Sequence, residues 1–314
     1  MMSLDRTTTS SPPLLRSLLF VPGDSERKLA KAQNVAADAL IIDFEDAVGA
    51  SRKHVARELA VEFMQLRTAI RARTVWVRVN AVGDACFADD VAAAVHAQAD
   101  GIVLPKPRSS LDVRELGEHL EVLEARAERT AGATKILPIA TETPASVLAL
   151  GSYASCGPRL AALTWGAEDL STALGAATAV DEHGGWLPPY ELVRSLCLLA
   201  AGAAAVPAID TVYTNVGDLE GFERVAAAAH RDGFAGKLAV HPDQVEIINR
   251  IFRPTAGAIA AARSVVAAFA AAGNAGVVTL DGRMLDRPHL LRARRVLATA
   301  AAADEPLGRD AVND

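Results

Sequence analysis

Short apolar runs alternate along the chain with longer Ala-rich stretches in which apolar and polar positions recur at helical spacing. The apolar runs are rich in aliphatic and β-branched residues and bounded by polar ones, as expected of buried strands. They predict strands at residues 17–21, 39–43, 75–80, 101–104, 136–140, 162–165, 209–213 and 238–240. The Ala-rich stretches predict helices at residues 25–35, 52–67, 111–128, 189–204 and 219–230. This alternation is typical of repeated βα units around a parallel sheet.

The number of predicted strands favours an α/β protein with the (β/α)8 TIM barrel fold, in which eight parallel strands close inside a ring of helices. A doubly wound open sheet is the alternative, but no Gly-rich dinucleotide fingerprint follows the first predicted strand. After the eighth strand the sequence predicts a helix at about 255–272, a structured turn bracketed by Gly282 and Pro288, and a last helix from His289. We therefore predict a flexible lead-in at residues 1–14, a catalytic barrel at 15–252 and a C-terminal helical lid extension at 253–314.

Composition and charge narrow the class of protein. A chain of 314 residues with 51% hydrophobic and 22% charged residues can bury a large core. The net charge of −6, without a concentrated basic block, argues against nucleic acid as a partner. The three cysteines fit neither a disulfide framework nor a zinc site, and uncharged stretches such as 196–209 and 264–280 fall short of the ~18 residues of a membrane span. We therefore expect a cytoplasmic protein without a membrane segment.

Polar residues directly follow most of the predicted strands, where a barrel of this kind has its active site. In chain order they are Asp43, Glu45, Asp46, Arg78, Asn80, Lys106, Glu142, Glu168, Asp169 and His241. Glu142 and Asp169 end successive strands, and neighbouring strands lie only ~5 Å apart. Two carboxylates so placed can share the hard cation Mg²⁺, but spacing alone favours the explanation of each as a helix N-cap or as part of an ion pair at the barrel rim.

Two further residues have both a functional and a structural explanation. The guanidinium of Arg78, in the alternating run VWVRVN, is expected at the barrel mouth, because the helix layer would bury it away from solvent. There it can bind a carboxylate or an enolate oxygen, or form a structural ion pair with the carboxylates after the second strand. His241 precedes a proline and is either a catalytic base or a hydrogen-bonded structural residue. No histidine is spaced to pair with a cysteine, so we do not expect a thiol nucleophile.

A series of motifs resembles one enzyme family. In order along the chain they are RSLLFVPGDSERKLAKA, ADALIIDFEDAV, WVRVNA, GIVLPK, PIATETP, WGAEDL, GKLAVHPDQ and GRMLDRPHLLRARRVL. Together, over about residues 15–303, they resemble the citrate lyase β-subunit-like branch of the HpcH/HpaI aldolase family. The resemblance implies a (β/α)8 barrel, a divalent metal, usually Mg²⁺ with Mn²⁺ as an alternative, and reversible carbon–carbon cleavage of 3-hydroxy-3-carboxy acyl thioesters.

The resemblance also implies roles for individual residues. It places the metal-ligand carboxylates on Glu142 and Asp169, which then also contact the substrate, and the substrate-binding catalytic arginine on Arg78. A catalytic aspartate, contributed by the C-terminal lid of a neighbouring subunit, falls on Asp286. Further positions that line the acyl-thioester site fall on Arg16, Glu168, Val240 and His241.

The implied activity is a Mg²⁺-dependent lyase that converts malyl-CoA, citramalyl-CoA or a related acyl-CoA to a shorter acyl-CoA and a 2-oxo acid. The alternatives are a citrate lyase β subunit, acting on citryl-acyl-carrier protein with α and γ subunits, and a malyl-CoA thioesterase. A non-catalytic scaffold is disfavoured, because a scaffold needs none of the site's charges together. A lid that works across subunits implies an oligomer, and the family resemblance implies a homotrimer or a hexamer. The segments 178–189 and 208–221 depart from the family's usual sequence, which leaves the thioester open.

Overall fold

The computed structural model describes residues 14–182, 184–273 and 275–304. Their backbone forms two compact units, one running from Leu15 to Phe252 and the other beginning at Arg253. The predicted lead-in at 1–14, except for Leu14, lies outside the described residues, and so does the end of the predicted extension, 305–314.

A barrel of parallel strands forms the centre of the first unit. Its strands are β1 (Ser17–Pro22), β2 (Ala39–Asp43), β3 (Thr74–Arg78), β4 (Gly101–Leu104), β5 (Lys135–Pro138), β6 (Leu163–Thr164), β7 (Ala208–Asp210) and β8 (Gly236–Ala239). Neighbours in the sheet follow the chain from β1 to β5, and β1 also pairs with β8, which leads through β7 to β6. Parallel bridges Ile136–Leu160 and Ile139–Thr164 join β5 to the β6 segment and close the ring. The predicted (β/α)8 fold is therefore confirmed.

Helices follow the strands and cover the outside of the barrel. They are α1 (Glu26–Ala32), α2 (Lys53–Gln65), α3 (Phe87–His96), α4 (Ser110–Arg126), α5 (Pro144–Leu148), α6 (Glu168–Leu174), α7 (Pro188–Ala203), α8 (Leu219–Asp232) and α9 (Pro242–Ile251). Short 3-10 turns occur at Ala50–Arg52, Arg67–Ala69 and Leu150–Ser155.

The core of the first unit has two layers because successive strand residues point to opposite faces of the sheet. In β2, Ile41 belongs to the cluster that fills the barrel interior, whereas Leu40 and Ile42 belong to the cluster between strands and helices. Trp76 occupies the interior beside Gly101, where a Cβ would lie 2.2 Å from the indole ring. Side chains thus fill the barrel, and a ligand can enter only at its ends.

The second unit contains α10 (Ala256–Ala271), β9 (Val277–Leu280), β10 (Arg283–Asp286) and α11 (Arg287–Asp304). The two strands form an antiparallel hairpin with Leu280 opposite Arg283. Both residues of its turn, Asp281 and Gly282, have positive φ, which is the backbone of a type I′ turn. The sequence prediction of a structured turn here missed the paired strands, although Asp-Gly between apolar residues is a hairpin signal.

The stretch Pro242–Ala271 has the length and mean hydropathy, 1.3, of a membrane span. It consists of two helices, however, because α9 ends at Ile251 and α10 begins only at Ala256, after Arg253 and Pro254. With 16 residues, α10 is about 24 Å long, which is shorter than the ~30 Å hydrocarbon core of a bilayer. The α9 segment packs on β1 and β8 as a barrel helix. Neither helix alone has the form of a membrane span.

Candidate active site

A cavity of about 700 Å³ opens where the barrel strands end. Its wall is formed by residues at or just after the carboxyl ends of β1, β2, β3, β5, β6, β7 and β8. Eight of the residues predicted from the sequence lie in this wall, namely Asp43, Asp46, Arg78, Glu142, Glu168, Asp169, Val240 and His241. The volume is typical of a site for a small molecule or a cofactor.

Glu142 follows β5 and has a buried side chain. Its Oε2 accepts a hydrogen bond from the backbone N–H of Lys106. Thr143, not Glu142, is the N-cap of α5, where its hydroxyl accepts the N–H of Ser146. A Cβ at position 166 would lie 2.8 Å from Glu142 Cγ, so Gly166 provides the space that the Glu142 side chain occupies. Glu142 is therefore held at the cavity without serving as a cap.

The charge of Glu142 is poorly compensated. Burial raises the pKa of its carboxyl group to about 8, and the negative charges of Asp169 and Glu45 act in the same direction. The N–H of Lys106 and the charge of Arg78 lower the pKa, but they only partly offset the burial. A cation bound beside this carboxylate would stabilise its ionised form.

Asp169 lies in the first turn of α6, whose N-cap is Ala167. Like Glu142, it lines the cavity and is not an N-cap, so the helix-cap explanation fails for both carboxylates. Asp169 Oδ1 is 3.4 Å from the Lys106 Nζ, so the predicted ion pair at the rim is present. Glu168, the preceding residue, is exposed and also faces the cavity.

Arg78 ends β3 directly opposite Asp43 in β2, because the register of the two strands pairs their Cα atoms. Its Nε and one terminal nitrogen each donate to an Asp43 oxygen at 2.7 Å. Its other terminal nitrogen is 2.8 Å from Glu45 Oε2, and the guanidinium lies over the Phe20 ring. Arg78 therefore forms the predicted structural ion pair, and it also lines the cavity at the barrel mouth, as predicted from its place in β3.

The loop after β2 brings two more carboxylates, Glu45 and Asp46, to this region. Asp43 accepts the N–H of Glu45 at 2.9 Å, which fixes the start of the loop. The ammonium of Lys53 also donates to the carbonyl oxygens of Phe44 and Glu45 in this loop. Lys106 Nζ lies 2.5 Å from Glu45 Oε1 and 3.3 Å from Asp46 Oδ2. Glu45 and Lys106 stood out in the sequence only as strand-end polar residues, and their contact depends on loop conformations that no spacing shows.

His241 has a clear structural role. It is the N-cap of α9, and its Nδ1 accepts the N–H of Asp243 at 3.3 Å. The Gln244 side chain in turn accepts the N–H groups of Val240 and His241. The structural explanation of His241 is thus present in the molecule, while the ring still borders the cavity.

Arg16 does not lie with the other predicted residues. It precedes β1, at the amino end of the barrel, and is absent from the cavity wall. Its side chain is buried and donates to both Asp38 oxygens, at 2.8 and 2.9 Å. Residues before and after β1 lie at opposite ends of this six-residue strand, so a residue before β1 cannot reach a site formed after it. We therefore leave Arg16 out of the site.

Asp286 belongs to the second unit, at the end of β10. Its Oδ1 is 2.6 Å from His289 Nδ1, and this hydrogen bond lowers the pKa of the Asp286 carboxyl group. Both side chains are partly exposed. His289 was expected only as the start of a helix, and its contact with Asp286 follows from the turn into α11.

The wall of the cavity also has a basic and an apolar part that the sequence analysis did not identify. Three exposed cations of α1, Arg27, Lys28 and Lys31, border the opening. Apolar side chains line the wall as well, and they include Phe20, Trp165, Val212 and Leu238. The three cations lie in α1 and the other residues are apolar, so a search for polar residues after strands does not find them.

The thiol groups lie away from the cavity wall. Burial raises the pKa of Cys156 to about 11 and that of Cys197 to about 12, so both thiols stay protonated and unreactive near neutral pH.

The two carboxylates suit a hard divalent cation such as Mg²⁺ or Mn²⁺ better than a metal that prefers nitrogen and sulfur ligands, such as Zn²⁺. Among the described residues, no three His, Cys, Asp or Glu side chains are grouped so as to hold a metal by themselves. Mg²⁺ is commonly bound through one or two carboxylates, with water and substrate oxygens completing the octahedron. Two carboxylates fit this pattern. Glu142 is buried, and its negative charge is only partly balanced by nearby groups, while Asp169 lies partly exposed beside the same cavity.

Residues 16–242 match the profile of the HpcH/HpaI aldolase/citrate lyase family. The chain is 34% identical over 293 residues to the citrate lyase subunit beta of Leuconostoc mesenteroides subsp. cremoris, covering 92% of this chain and 94% of the relative. It is 35% identical over 292 residues to a (3S)-malyl-CoA thioesterase of Cereibacter sphaeroides, covering 91% and 95%. The crystal structure of CitE from Mycobacterium tuberculosis, in complex with magnesium, acetoacetate and coenzyme A, superposes with a TM-score of 0.72 at 30% identity, covering 93% of this chain and 99% of that one.

Proposed function

Because the chain belongs to the HpcH/HpaI aldolase/citrate lyase family, we propose that it is a Mg²⁺-dependent carbon–carbon lyase. Its substrate is a 3-hydroxy-3-carboxy acyl-CoA such as malyl-CoA or citramalyl-CoA, and its products are a shorter acyl-CoA and a 2-oxo acid. The observation that carries this proposal is the grouping of Glu142, Asp169 and Arg78 at one cavity beyond the ends of the strands.

Glu142 and Asp169 would hold the metal, whose contribution when bound is to polarise the hydroxyl and carboxylate oxygens of the substrate as a Lewis acid. In cleavage the hydroxyl group gives its proton to a base, the adjacent carbon–carbon bond breaks, and the electron pair stays on the carbon next to the thioester, which then takes up a proton to complete the acyl-CoA. Negative charge therefore develops inside the cavity and must be stabilised by groups that are already in place.

Arg78 is suited to that task. Asp43 and Glu45 fix the orientation of its guanidinium, so little reorganisation is needed when an anion arrives. A guanidinium has five N–H donors, and the two carboxylates do not use all of them. The remaining donors can bind the carboxylate or the developing oxyanion of the substrate.

The rest of the cavity suits a CoA thioester. Arg27, Lys28 and Lys31 provide positive charge at the opening for phosphate groups, and the apolar wall suits the pantetheine chain. Glu168, Val240 and His241 are proposed as wall residues for the acyl-thioester group. This local basic group explains how a chain with a net charge of −6 can accept an anionic ligand.

We assign the proton step at the acyl carbon to Asp286. The carboxylate is partly exposed and ionised beside His289, so in the condensation direction it can accept a proton from the acyl carbon, and in cleavage the protonated carboxyl group returns that proton to the carbanion. The second unit would act as a lid, and in our proposal Asp286 serves the cavity of a neighbouring subunit in a homotrimer or hexamer. We also place the protein in the cytoplasm.

Hydrolysis of malyl-CoA is the second candidate, and the similarity to a (3S)-malyl-CoA thioesterase favours it. In that reaction Asp286 would orient a water molecule toward the thioester instead of exchanging a proton. Action as a citrate lyase β subunit, with α and γ subunits and a citryl-acyl-carrier protein, is the third possibility and is supported by the similarity to citrate lyase β subunits.

A panel of CoA thioesters, incubated with Mg²⁺ or with EDTA, separates these activities. The lyase proposal predicts one 2-oxo acid for each acyl-CoA formed, no free CoA, and no turnover in EDTA. Release of free CoA without glyoxylate, pyruvate or oxaloacetate would show that the protein is a thioesterase and not a lyase. Turnover of a citryl thioester only on acyl-carrier protein would favour the citrate lyase subunit.

A further inference from the structure

Lys106 contacts both carboxylates that we propose as metal ligands. Its backbone N–H donates to Oε2 of Glu142, and its Nζ lies 3.4 Å from Oδ1 of Asp169. The same ammonium lies 2.5 Å from Glu45 Oε1 and 3.3 Å from Asp46 Oδ2. One residue thus links the ends of β2 and β5 and the first turn of α6.

The backbone of Lys106 is held in an unusual conformation. Its φ is +49°, in the left-handed region that a residue with a Cβ rarely adopts, and it stands between Pro105 and Pro107. Such strain persists only where the surroundings enforce it, and it is found most often at functional sites. Here it accompanies a backbone N–H that donates to Glu142 and an ammonium that reaches Asp169.

The charges around Lys106 show why a cation is needed there. Asp43, Glu45, Asp46, Glu142 and Asp169 bring five carboxylates to the region, and Arg78 is committed to the first two of them. Among the described residues, Lys106 is the cation whose ammonium contacts Asp46 and Asp169, so without it these two carboxylates would face the other three without that positive charge. Like charges this close repel one another, so a site without the ammonium is less stable in the absence of metal and attracts a divalent cation more strongly.

We propose that Lys106 is a positioning residue that holds the metal-free site together and is displaced from Asp169 when the divalent cation binds. The proposal rests on the metal site proposed above. In the absence of metal, the ammonium offsets the repulsion between the carboxylates and occupies the side of Asp169 Oδ1. A divalent cation on Glu142 and Asp169 needs the Asp169 oxygen and repels the ammonium, which can remain on Glu45 and Asp46, its nearer partners.

This role predicts an effect on metal affinity opposite to that of a purely structural residue. If Lys106 competes with the metal, Lys106→Met removes the competing charge, and Mg²⁺ should bind about tenfold more tightly. If Lys106 only shapes the loop, the same substitution disorders the ligands and weakens Mg²⁺ binding. Lys106→Arg keeps the positive charge and should bind Mg²⁺ within about twofold of wild type.

The test is isothermal titration of Mg²⁺ into the EDTA-treated, dialysed full-length protein, without substrate. The variants are Lys106→Met and Lys106→Arg, with Lys28→Met as the matched control. Lys28 is an exposed lysine that also borders the cavity, so its loss removes the same charge without freeing Asp169. We expect tighter binding in Lys106→Met alone, together with a metal-free melting temperature several degrees below that of wild type.

Equal or weaker Mg²⁺ binding by Lys106→Met overturns the inference and leaves the proposed lyase intact if wild type still binds Mg²⁺. Equal tightening in Lys28→Met also overturns it, because the effect would then come from overall charge. If wild type and every variant fail to bind Mg²⁺, the proposed metal site itself is wrong. If Lys106→Met does not fold, NMR of the wild-type protein labelled with ¹⁵N-lysine replaces the titration. The Lys106 ammonium signal is the one that is missing from the spectrum of Lys106→Arg. The proposal predicts that this signal shifts when Mg²⁺ is added, and a signal that does not shift contradicts it.

Discussion

Arg78 donates hydrogen bonds to Asp43 and, in our proposal, also to the substrate, and the two partners use different N–H groups of the guanidinium. Asp43 needs a bidentate donor, because its side chain is only 1% exposed and would otherwise be a buried charge. An anionic substrate in the cavity needs the donors that remain. A guanidinium supplies both sets of hydrogen bonds from one rigid plane, whereas an ammonium is a single point of charge.

Arg78→Lys should therefore lower both stability and activity. We expect a loss of about 2 kcal/mol in the free energy of unfolding, because one Asp43 oxygen loses its donor. We expect a fall of about a hundredfold in kcat/KM for the thioester, since one ammonium cannot hold Asp43 and the substrate together. Urea unfolding and steady-state kinetics measure the two effects.

Arg52→Lys is the control for this substitution, because Arg52 pairs with Asp24 at the surface and lies outside the cavity wall. It should change stability by less than about 0.5 kcal/mol and leave kcat/KM near wild type. A lysine at position 78 with more than half of wild-type activity would show that Arg78 is a structural ion-pair partner and does not bind substrate.

At the scale of elements, the seam between β5 and β6 is the weakest part of the barrel wall. The strand β6 has only two residues, and bridges instead of a full ladder connect it to β5. Below the seam, Glu124 of α4 ties the two strands together: it accepts the N–H of Thr134 at 2.7 Å and the guanidinium of Arg159 at 2.8 and 3.0 Å. This buried clamp holds the amino ends of the strands that carry Glu142 and Asp169 at their other ends.

Glu124→Gln tests the clamp. Although burial opposes the charged form, the Arg159 guanidinium and the N–H groups of Thr134 and Gly132 lower the pKa of Glu124 to about 2. A depressed carboxyl pKa stabilises the folded state above the ordinary value of 4.5, and this stabilisation is lost as the pH falls toward 2. We expect Glu124→Gln to cost about 2 kcal/mol at pH 7 and progressively less below pH 4.5.

Urea unfolding of wild type and Glu124→Gln between pH 7 and pH 3 measures this difference. Glu121→Gln, an exposed position on the same helix, is the control and should follow wild type at every pH. A stability difference that does not shrink in acid would contradict the assignment to the ionised Glu124.

The strands show what the sequence could and could not predict. All eight were located from apolar runs, because a buried strand needs such a run whatever its neighbours are. Their ends were less well located: the third was expected to reach Asn80 but ends at Arg78, since Asn80 turns away to bond Asp90. Pairing between distant segments, such as the bridges that close the β5–β6 seam, leaves no local pattern.

The same distinction applies to the site. Eight predicted residues border one cavity because they lie at or just after the ends of strands, and strand ends can be predicted from the sequence. Arg16 was misplaced because its motif matched while its position before β1 puts it at the other end of the barrel. The contacts of Lys106 depend on a left-handed backbone between two prolines, which spacing alone does not reveal.

At the scale of the whole molecule, the proposal divides the active site between two subunits, with Glu142 in the barrel of one and Asp286 in the second unit of another. Glu142→Gln and Asp286→Asn should each be nearly inactive, with kcat reduced at least a hundredfold. When the two variants are mixed, dissociated and reassembled, some cavities should receive a native Glu142 and a native Asp286. Activity should then return to a substantial fraction of wild type.

Reassembled samples of each variant alone are the controls and should stay inactive. If the mixture stays inactive while size-exclusion chromatography shows mixed oligomers, Asp286 does not act across subunits. An active monomer would lead to the same conclusion.

The central claim is that Glu142 and Asp169 hold the divalent cation at the mouth of the barrel. A crystal of the protein grown with Mn²⁺, measured by anomalous diffraction at the manganese edge, tests it most directly. We predict one strong peak within bonding distance of Glu142 and Asp169, with the Lys106 ammonium moved away from Asp169, and no peak at this position in Glu142→Gln. A metal bound elsewhere, or a wild-type cavity without a peak at saturating Mn²⁺, would contradict the account.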